Sequence, residues 1–121
     1  AGRALRALPE RPTAIFVANN HMLIGLMQAV AAIGLSVPRD ISIASIDDFP
    51  WAAAFMPALT TVRQPIARMA EAALNLLTAR MTDEAAPIRR VVCAPELVIR
   101  QSCVAPAYSS PGPSSTASVL R

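Results

Sequence analysis

Two stretches of the chain decide its fold: Ala14-Ile-Phe-Val-Ala-Asn-Asn20 and Ile41-Ser-Ile-Ala-Ser-Ile-Asp-Asp48. Each is a short run of apolar and small residues that ends abruptly in amides or carboxylates. Such runs are typical of buried strands in a parallel sheet whose faces are covered by helices. Polar residues at the carboxyl ends of these strands lie where open α/β sheets bind ligands. Asn19 and Asp47 therefore predict a binding site for a molecule rich in hydroxyl groups.

The segment between the two strands is predicted to be a helix. Asn19 or Asn20 is expected to cap its first turn, and Gly34 to end it in a left-handed conformation. The spacing of apolar residues predicts a buried face formed by Met22, Leu26, Val30 and Ile33. A strand–helix–strand unit of this kind is the elementary piece of a doubly wound α/β sheet.

The remainder of the chain is predicted to add further elements to this unit. We expect an extended segment at 59–63, a helix that Pro65 opens and that ends near Arg80, and short strands at 89–93 and 96–100. The apolar face of this helix is predicted to comprise Ile66, Met69, Ala73, Leu76 and Leu77. We expect one domain over residues 1–103. A tail rich in Ser, Pro, Ala and Gly at 104–121 is expected to be disordered.

The composition excludes several classes of function. The chain of 121 residues is 54% hydrophobic, and its net charge of +3 comes from scattered arginines that form no nucleic-acid-binding stripe. Its longest nearly apolar segment, 22–35, is too short to span a bilayer, so no membrane partner is expected. Cys93 and Cys103 have no metal-binding spacing and are expected to be unpaired thiols in a reducing cytosol. We predict no catalytic residue, no metal and no cofactor, because no nucleophile or base with an orienting partner is visible.

The order of motifs along the chain resembles the LacI/GalR family of transcriptional regulators. The similar motifs are Pro12-Thr-Ala-Ile-Phe-Val-Ala-Asn-Asn20, the run from Gly34 to Ile43, Ile46-Asp-Asp48, Pro57-Ala-Leu-Thr-Thr-Val-Arg-Gln-Pro65 and Pro95-Glu-Leu-Val-Ile-Arg-Gln-Ser102. The resemblance implies an incomplete C-terminal subdomain of a type I periplasmic-binding-protein-like fold, of class α/β with a parallel sheet. It implies a sugar or similar small molecule as effector. The chain departs from the family at Asn20, where Asp is usual, and at Ala44-Ser45, where Val-Gly is frequent.

The resemblance implies roles for three polar residues. Asn19 matches an amide that closes the sugar site, Asp47 matches a carboxylate that accepts hydrogen bonds from the ligand, and Gln64 matches a polar residue at the hinge crossing. Asn19 and Gln64 have alternative roles as helix caps. Trp51 is a candidate platform for the sugar ring because it is the only tryptophan. Asp48 is expected to point toward solvent or a backbone amide, because neighbours on an extended chain face opposite ways.

The resemblance also implies partners. The apolar loop that contains Phe55 and Met56 is expected to contribute to a homodimer, and operator DNA is expected to be bound only through a helix-turn-helix that this chain lacks. The expected location is the cytoplasm. The alternative is a periplasmic sugar-binding protein of a transporter. We expect the chain to be a fragment or the product of a truncated reading frame, whose second helix packs on an absent half and which alone binds sugar weakly or not at all.

Overall fold

One four-stranded sheet organises the chain in a computed structural model that describes residues 5, 7–85 and 87–106. Its strands are β1 (Ala14–Val17), β2 (Ser42–Ile46), β3 (Thr60–Arg63) and β4 (Glu96–Val98), arranged in that order. The first three strands are parallel, and β4 runs antiparallel to β3. The predicted α/β class with a mainly parallel sheet is confirmed. Residues 107–121 of the predicted tail lie outside the described residues.

Helix α1 (Asn20–Ala32) connects β1 to β2 and covers one face of the sheet. Its buried residues are Leu23, Leu26 and Val30, which join the core with Val17 and Ile43. The predicted buried face is correct at Leu26 and Val30 but wrong at Met22, whose side chain is 59% exposed. Leu23 takes the place predicted for Met22, and the buried residues at 23, 26 and 30 recur at helical steps of three and four.

The end of α1 is built by Gly34, as the sequence predicts. Gly34 has a φ of +75°, its N–H donates to the Ala31 carbonyl at 3.0 Å, and the Leu35 N–H donates to the Val30 carbonyl at 3.1 Å. This pair of bonds is a Schellman motif, which satisfies carbonyl groups that the last helical turn leaves free. The chain can then turn back within a few residues toward β2.

Helix α2 (Ile66–Thr82) connects β3 to β4 and has no buried residue. Of its predicted apolar face, Ile66, Met69 and Leu77 are exposed. The strand predicted at 89–93 is absent from the described residues. A strand needs the backbone of a neighbour to pair with, and no described strand lies beside this segment.

The segment after β4 is held to β2 and β3 by side-chain hydrogen bonds and does not continue the backbone pairing of β4 with β3. Ser102 is fully buried; its Oγ donates to the Ile43 carbonyl at 2.6 Å and accepts from the Thr60 N–H at 2.8 Å. The predicted strand at 96–100 is shorter than expected because the Arg100 N–H donates to the Thr60 side chain instead of a backbone carbonyl. These bonds anchor the last part of the sheet.

Two further properties of the described residues bear on the expectations above. Cys93 and Cys103 are both free thiols, as predicted. No helix in the described part of the chain combines the length and the apolar character needed to cross a membrane.

Candidate functional site

The carboxyl ends of the three parallel strands carry the predicted polar residues. Asn19 follows β1, Asp47 follows β2 and Gln64 follows β3; we call these three residues the strand-end rim. Gln64 Nε2 donates to Asp47 Oδ1 at 2.6 Å, so two of the three predicted polar site residues are in direct contact. The contact exists because parallel strands deliver their carboxyl ends to one edge of the sheet.

The backbone at Asp47 has an uncommon conformation. Its φ of +74° lies in the left-handed region, which costs a non-glycine residue about 1–2 kcal/mol but which Asp tolerates better than most. The Asp47 N–H donates to the Val62 carbonyl at 3.0 Å and so holds this turn against β3. The turn therefore aims the Asp47 carboxylate toward the residue that follows β3.

Ser45 occupies a position where the resemblance leads us to expect glycine. The left-handed residue is Asp47, so Ser45 needs no special backbone freedom. Ser45 is buried, and its Oγ lies 3.2 Å from the Val17 carbonyl oxygen and 2.8 Å from that of Ile46. The hydroxyl thus links the ends of β1 and β2 instead of disturbing them.

Asn19 is the N-cap of α1. Its Oδ1 accepts from the Met22 N–H at 2.8 Å, which is the capping alternative considered from sequence. Its Nδ2 has no hydrogen-bond partner within the described part of the chain and is left to donate. One amide can therefore cap the helix with its oxygen and offer its nitrogen to a ligand. Gln64 makes no side-chain cap bond to α2, whose N-cap is Pro65.

Asp48 is the most heavily bonded carboxylate beside the strand-end rim. Its side chain is 7% exposed and lies 2.8 Å from Arg100 Nη1. Arg63 donates to Oδ2 from Nε at 2.9 Å and from Nη2 at 2.6 Å, and the Thr61 hydroxyl donates to Oδ1 at 2.8 Å. The prediction that Asp48 points toward solvent or a backbone amide is wrong, because three donors from β3 and the segment after β4 converge on it.

These contacts change the protonation of Asp48. The hydrogen bond from Arg100 is the main cause that lowers the pKa of the Asp48 carboxyl below its ordinary range, and the Thr61 and Arg63 bonds add to it. Burial opposes this change because it disfavours a charged group. The donors outweigh burial, so Asp48 is a carboxylate at neutral pH. Sequence reasoning missed Arg63 and Arg100, although each stands near the end of a predicted strand.

The loop after Asp48 forms an aromatic cluster. The Trp51 ring centroid lies 3.4 Å from that of Phe49 and 5.4 Å from that of Phe55. Phe49 is buried and Phe55 packs against the core, whereas Trp51 is 37% exposed and Met56 is 97% exposed. Trp51 thus has two ring neighbours within the loop, and Met56 projects from the surface.

A groove of about 380 Å³ lies between the sheet and α2. Ile46 and Val62 contribute from the sheet, Met69 and Leu76 from α2, and Cys93 from the segment that returns to β4. Gln64 lies at its edge, so the groove reaches the strand-end rim. Apolar walls with a few convergent polar groups are typical of small-molecule sites.

Comparisons with known proteins identify relatives over most of the chain. The profile of the periplasmic binding protein-like domain matches residues 1–103. The chain is 41% identical over 98 residues to the HTH-type transcriptional repressor PurR of Mannheimia succiniciproducens, an alignment that covers 81% of this chain and 29% of the repressor. The chain therefore spans less than a third of the length of this curated relative.

Solved structures agree with the sequence relatives. A putative transcriptional regulator LacI from Bacillus cereus subsp. cytotoxis superposes with a TM-score of 0.78 at 25% identity, over 84% of this chain and 36% of that one. A LacI family transcriptional regulator from Lactobacillus casei with bound sucrose superposes with a TM-score of 0.66 at 34% identity, over 84% of this chain and 38% of that one. The chain belongs to the periplasmic binding protein-like family and is similar, over part of their length, to LacI-family transcriptional regulators.

Proposed function

We propose that the chain is the C-terminal part of a LacI/GalR-type repressor and that its strand-end rim binds a sugar or a similar neutral effector. The contact between Asp47 Oδ1 and Gln64 Nε2 at 2.6 Å carries the proposal. It joins an acceptor and a donor at the carboxyl edge of the sheet, beside an apolar groove. On this proposal the chain acts in the cytoplasm, where operator DNA is bound by a helix-turn-helix outside the present sequence.

The chemistry of the strand-end rim suits hydroxyl groups. A carboxylate accepts two or more hydrogen bonds, and an amide both donates and accepts, so together they can pair with neighbouring hydroxyls of one ring. Each buried polar group left without a partner costs about 1–3 kcal/mol, which favours a ligand with many hydroxyls over an apolar one. The regulator of Lactobacillus casei that superposes on this chain holds sucrose, a ligand of this class.

The proposal includes a homodimer that uses the loop with Phe55 and Met56. Met56 is almost fully exposed, and its neighbour Phe55 fixes the loop against the core. On this proposal the exposed Met56 side chain is part of an apolar surface that the partner protomer covers. Trp51 remains a candidate ring platform, with part of its surface open and two aromatic rings behind it.

The test of effector binding uses the longer protein encoded by the gene. The DNA upstream of the codon for Ala1 is sequenced, and the longest in-frame protein is titrated calorimetrically with sucrose, cellobiose and D-glucose. We expect one of these sugars to bind, and Asp47→Asn to weaken its binding by about tenfold or more, since one charged acceptor is lost. Asp40→Asn is the matched control, because Asp40 bonds Ser36 and Arg39 at the opposite edge of the sheet. Equal binding by wild type and Asp47→Asn would contradict the assignment.

A second titration addresses the chain of 121 residues by itself. We expect weak sugar binding or none, because on this proposal the chain supplies only one wall of the site. Micromolar binding by the isolated chain would contradict this expectation. The alternative of a periplasmic transport protein is not favoured, since the relatives found are transcriptional regulators. An in-frame signal peptide upstream of Ala1 would revive it.

A further inference from the structure

We infer that Asp48, held by Arg63 and Arg100, is a positioning residue that sets the geometry of Asp47 and Gln64; the inference rests on the proposed function of the strand-end rim. Asp48 does not belong to the strand-end rim. It lies one residue after Asp47 and is nearly buried.

Asp48 joins three separate parts of the chain. It follows β2, its partners Thr61 and Arg63 lie on β3, and Arg100 follows β4. Both oxygens of the carboxylate are engaged, Oδ1 by Thr61 and Arg100 and Oδ2 by Arg63. A carboxylate bonded on both oxygens has a fixed orientation, because any rotation of the group breaks at least one charge-assisted bond.

This cross-link runs beside the contact within the strand-end rim. Arg63 directly precedes Gln64, and Asp48 directly follows Asp47. The Arg63–Asp48 pair and the Gln64–Asp47 pair therefore join the same two chain segments at consecutive residues. The left-handed backbone at Asp47 persists only where its surroundings hold it in place. The Arg63–Asp48 ion pair fixes Asp48, the residue that follows Asp47.

The negative charge of Asp48, and not only its hydrogen bonds, is needed to hold Arg100 in place. Arg100 is 16% exposed, and its other contacts are the carbonyl of Leu59 and the hydroxyl of Thr61. A neutral Asn at position 48 would leave this guanidinium without a counter-charge in a nearly buried place. Arg63 has a second carboxylate partner, Glu96, at 3.1 Å, which an Asn at 48 would leave in place. We therefore expect the segment around Asp48 to shift when its charge is removed.

The test measures local opening in the ligand-free chain by NMR hydrogen exchange. The Asp47 N–H, bonded to Val62, reports on the turn, and the Ile43 N–H, bonded to Ser102 in the core, reports on unfolding of the whole sheet. In Asp48→Asn we expect the exchange rate of Asp47 relative to that of Ile43 to rise by about tenfold or more. We also expect the nuclear Overhauser contact between the Gln64 side-chain amide and Asp47 to disappear. Arg39→Met is the control, because it removes an exposed ion pair at the other edge of the sheet.

An unchanged ratio of the two exchange rates would overturn the inference. The loss of a residue that only stabilises the fold raises the exchange rates of Asp47 and Ile43 together. If Asp48→Asn does not fold, the same ratio is measured in Arg63→Met, whose side chain is half exposed. There we expect the same direction of change, and a smaller change in Arg63→Lys, which keeps the charge. No sugar enters this measurement, so a failure of sugar binding and a failure of the positioning role are observed separately.

Discussion

Replacement of Gly34 by Ala tests the account of how α1 ends. Gly34 has a φ of +75°, and a Cβ added there meets no atom within 4 Å, so the cost is conformational rather than steric. A left-handed residue other than glycine costs about 1–2 kcal/mol. The lower entropy of Ala in the unfolded chain returns about 0.4–1 kcal/mol of that. We expect Gly34→Ala to lower the free energy of unfolding by about 1 kcal/mol, and Gly34→Asn to lower it less.

Gly25 provides a matched control with the opposite sign. It lies in the interior of α1, is exposed, and also has open space around an added Cβ. Because its conformation is helical, Gly25→Ala is expected to raise the free energy of unfolding by up to about 1 kcal/mol. The two positions share no contact partner, so the double variant should have nearly the stability of the wild type.

Urea unfolding followed by far-UV circular dichroism measures the stability of all five proteins: the wild type, the three single variants and the double variant. We expect midpoints that move in opposite directions with an unchanged dependence on denaturant, as changes in stability alone require. Loss of stability by the same amount in both single variants would refute the reasoning, since it would mean that added volume, and not backbone conformation, determines the cost. A Gly34→Ala variant as stable as the wild type would refute it equally.

Three further predictions concern the core, the ion-pair network and the dimer. Leu23→Ala is expected to lower the free energy of unfolding by about 2–5 kcal/mol because the side chain is fully buried, and Leu77→Ala on exposed α2 by less than about 0.5 kcal/mol, both in urea titrations. The pKa of Asp48 is lowered chiefly by Arg100, so its contribution to stability is present above the ordinary Asp pKa of about 4 and is lost as the pH falls toward the folded-state pKa. Asp48→Asn should therefore be less stable than the wild type at neutral pH and should lose less stability than the wild type below about pH 4 in acid titrations. An equal loss of stability in the two proteins below about pH 4 would contradict this. Met56→Glu in the longer protein is expected to shift sedimentation from dimer toward monomer, and unaltered association would argue against this loop as the interface.

The elements that could be predicted from sequence are those whose signals are local. The apolar runs around Ile15 and Ile43 predict their strands to within a residue or so, because a buried strand needs several consecutive apolar residues. Gly34 is predicted because a left-handed end of a helix favours one residue type. Asn19 and Asp47 are predicted from the same kind of local signal, whereas Gln64, which contacts Asp47, is implied only by the resemblance to the family.

The features that could not be predicted depend on distant residues. One example is the buried face of α1, to which either Met22 or Leu23 could belong. Each of the two lies at a helical spacing from Leu26, so the sequence pattern does not decide which of them faces the sheet. The segment 89–93 has the composition of a strand, but a strand exists only with a partner, which sequence spacing does not reveal. The surroundings of Asp48 cannot be predicted from sequence because its two cationic partners, Arg63 and Arg100, come from elsewhere in the chain.

The antiparallel pairing of β3 with β4 makes the stretch 64–95 the connection of a β-hairpin. Arg63 and Glu96 are register partners, so everything between them is the connection of a β-hairpin enlarged to contain a whole helix. The entropic cost of such an enlargement grows only with the logarithm of its length, about 0.6 kcal/mol for each doubling. The pairing of β3 with β4 therefore places only a weak entropic limit on the length of this connection. The register of β3 and β4 and the side chains that 64–95 adds to the groove, Gln64 among them, are therefore separate properties of the fold, and the connection can vary in length without a change in the Arg63–Glu96 pairing.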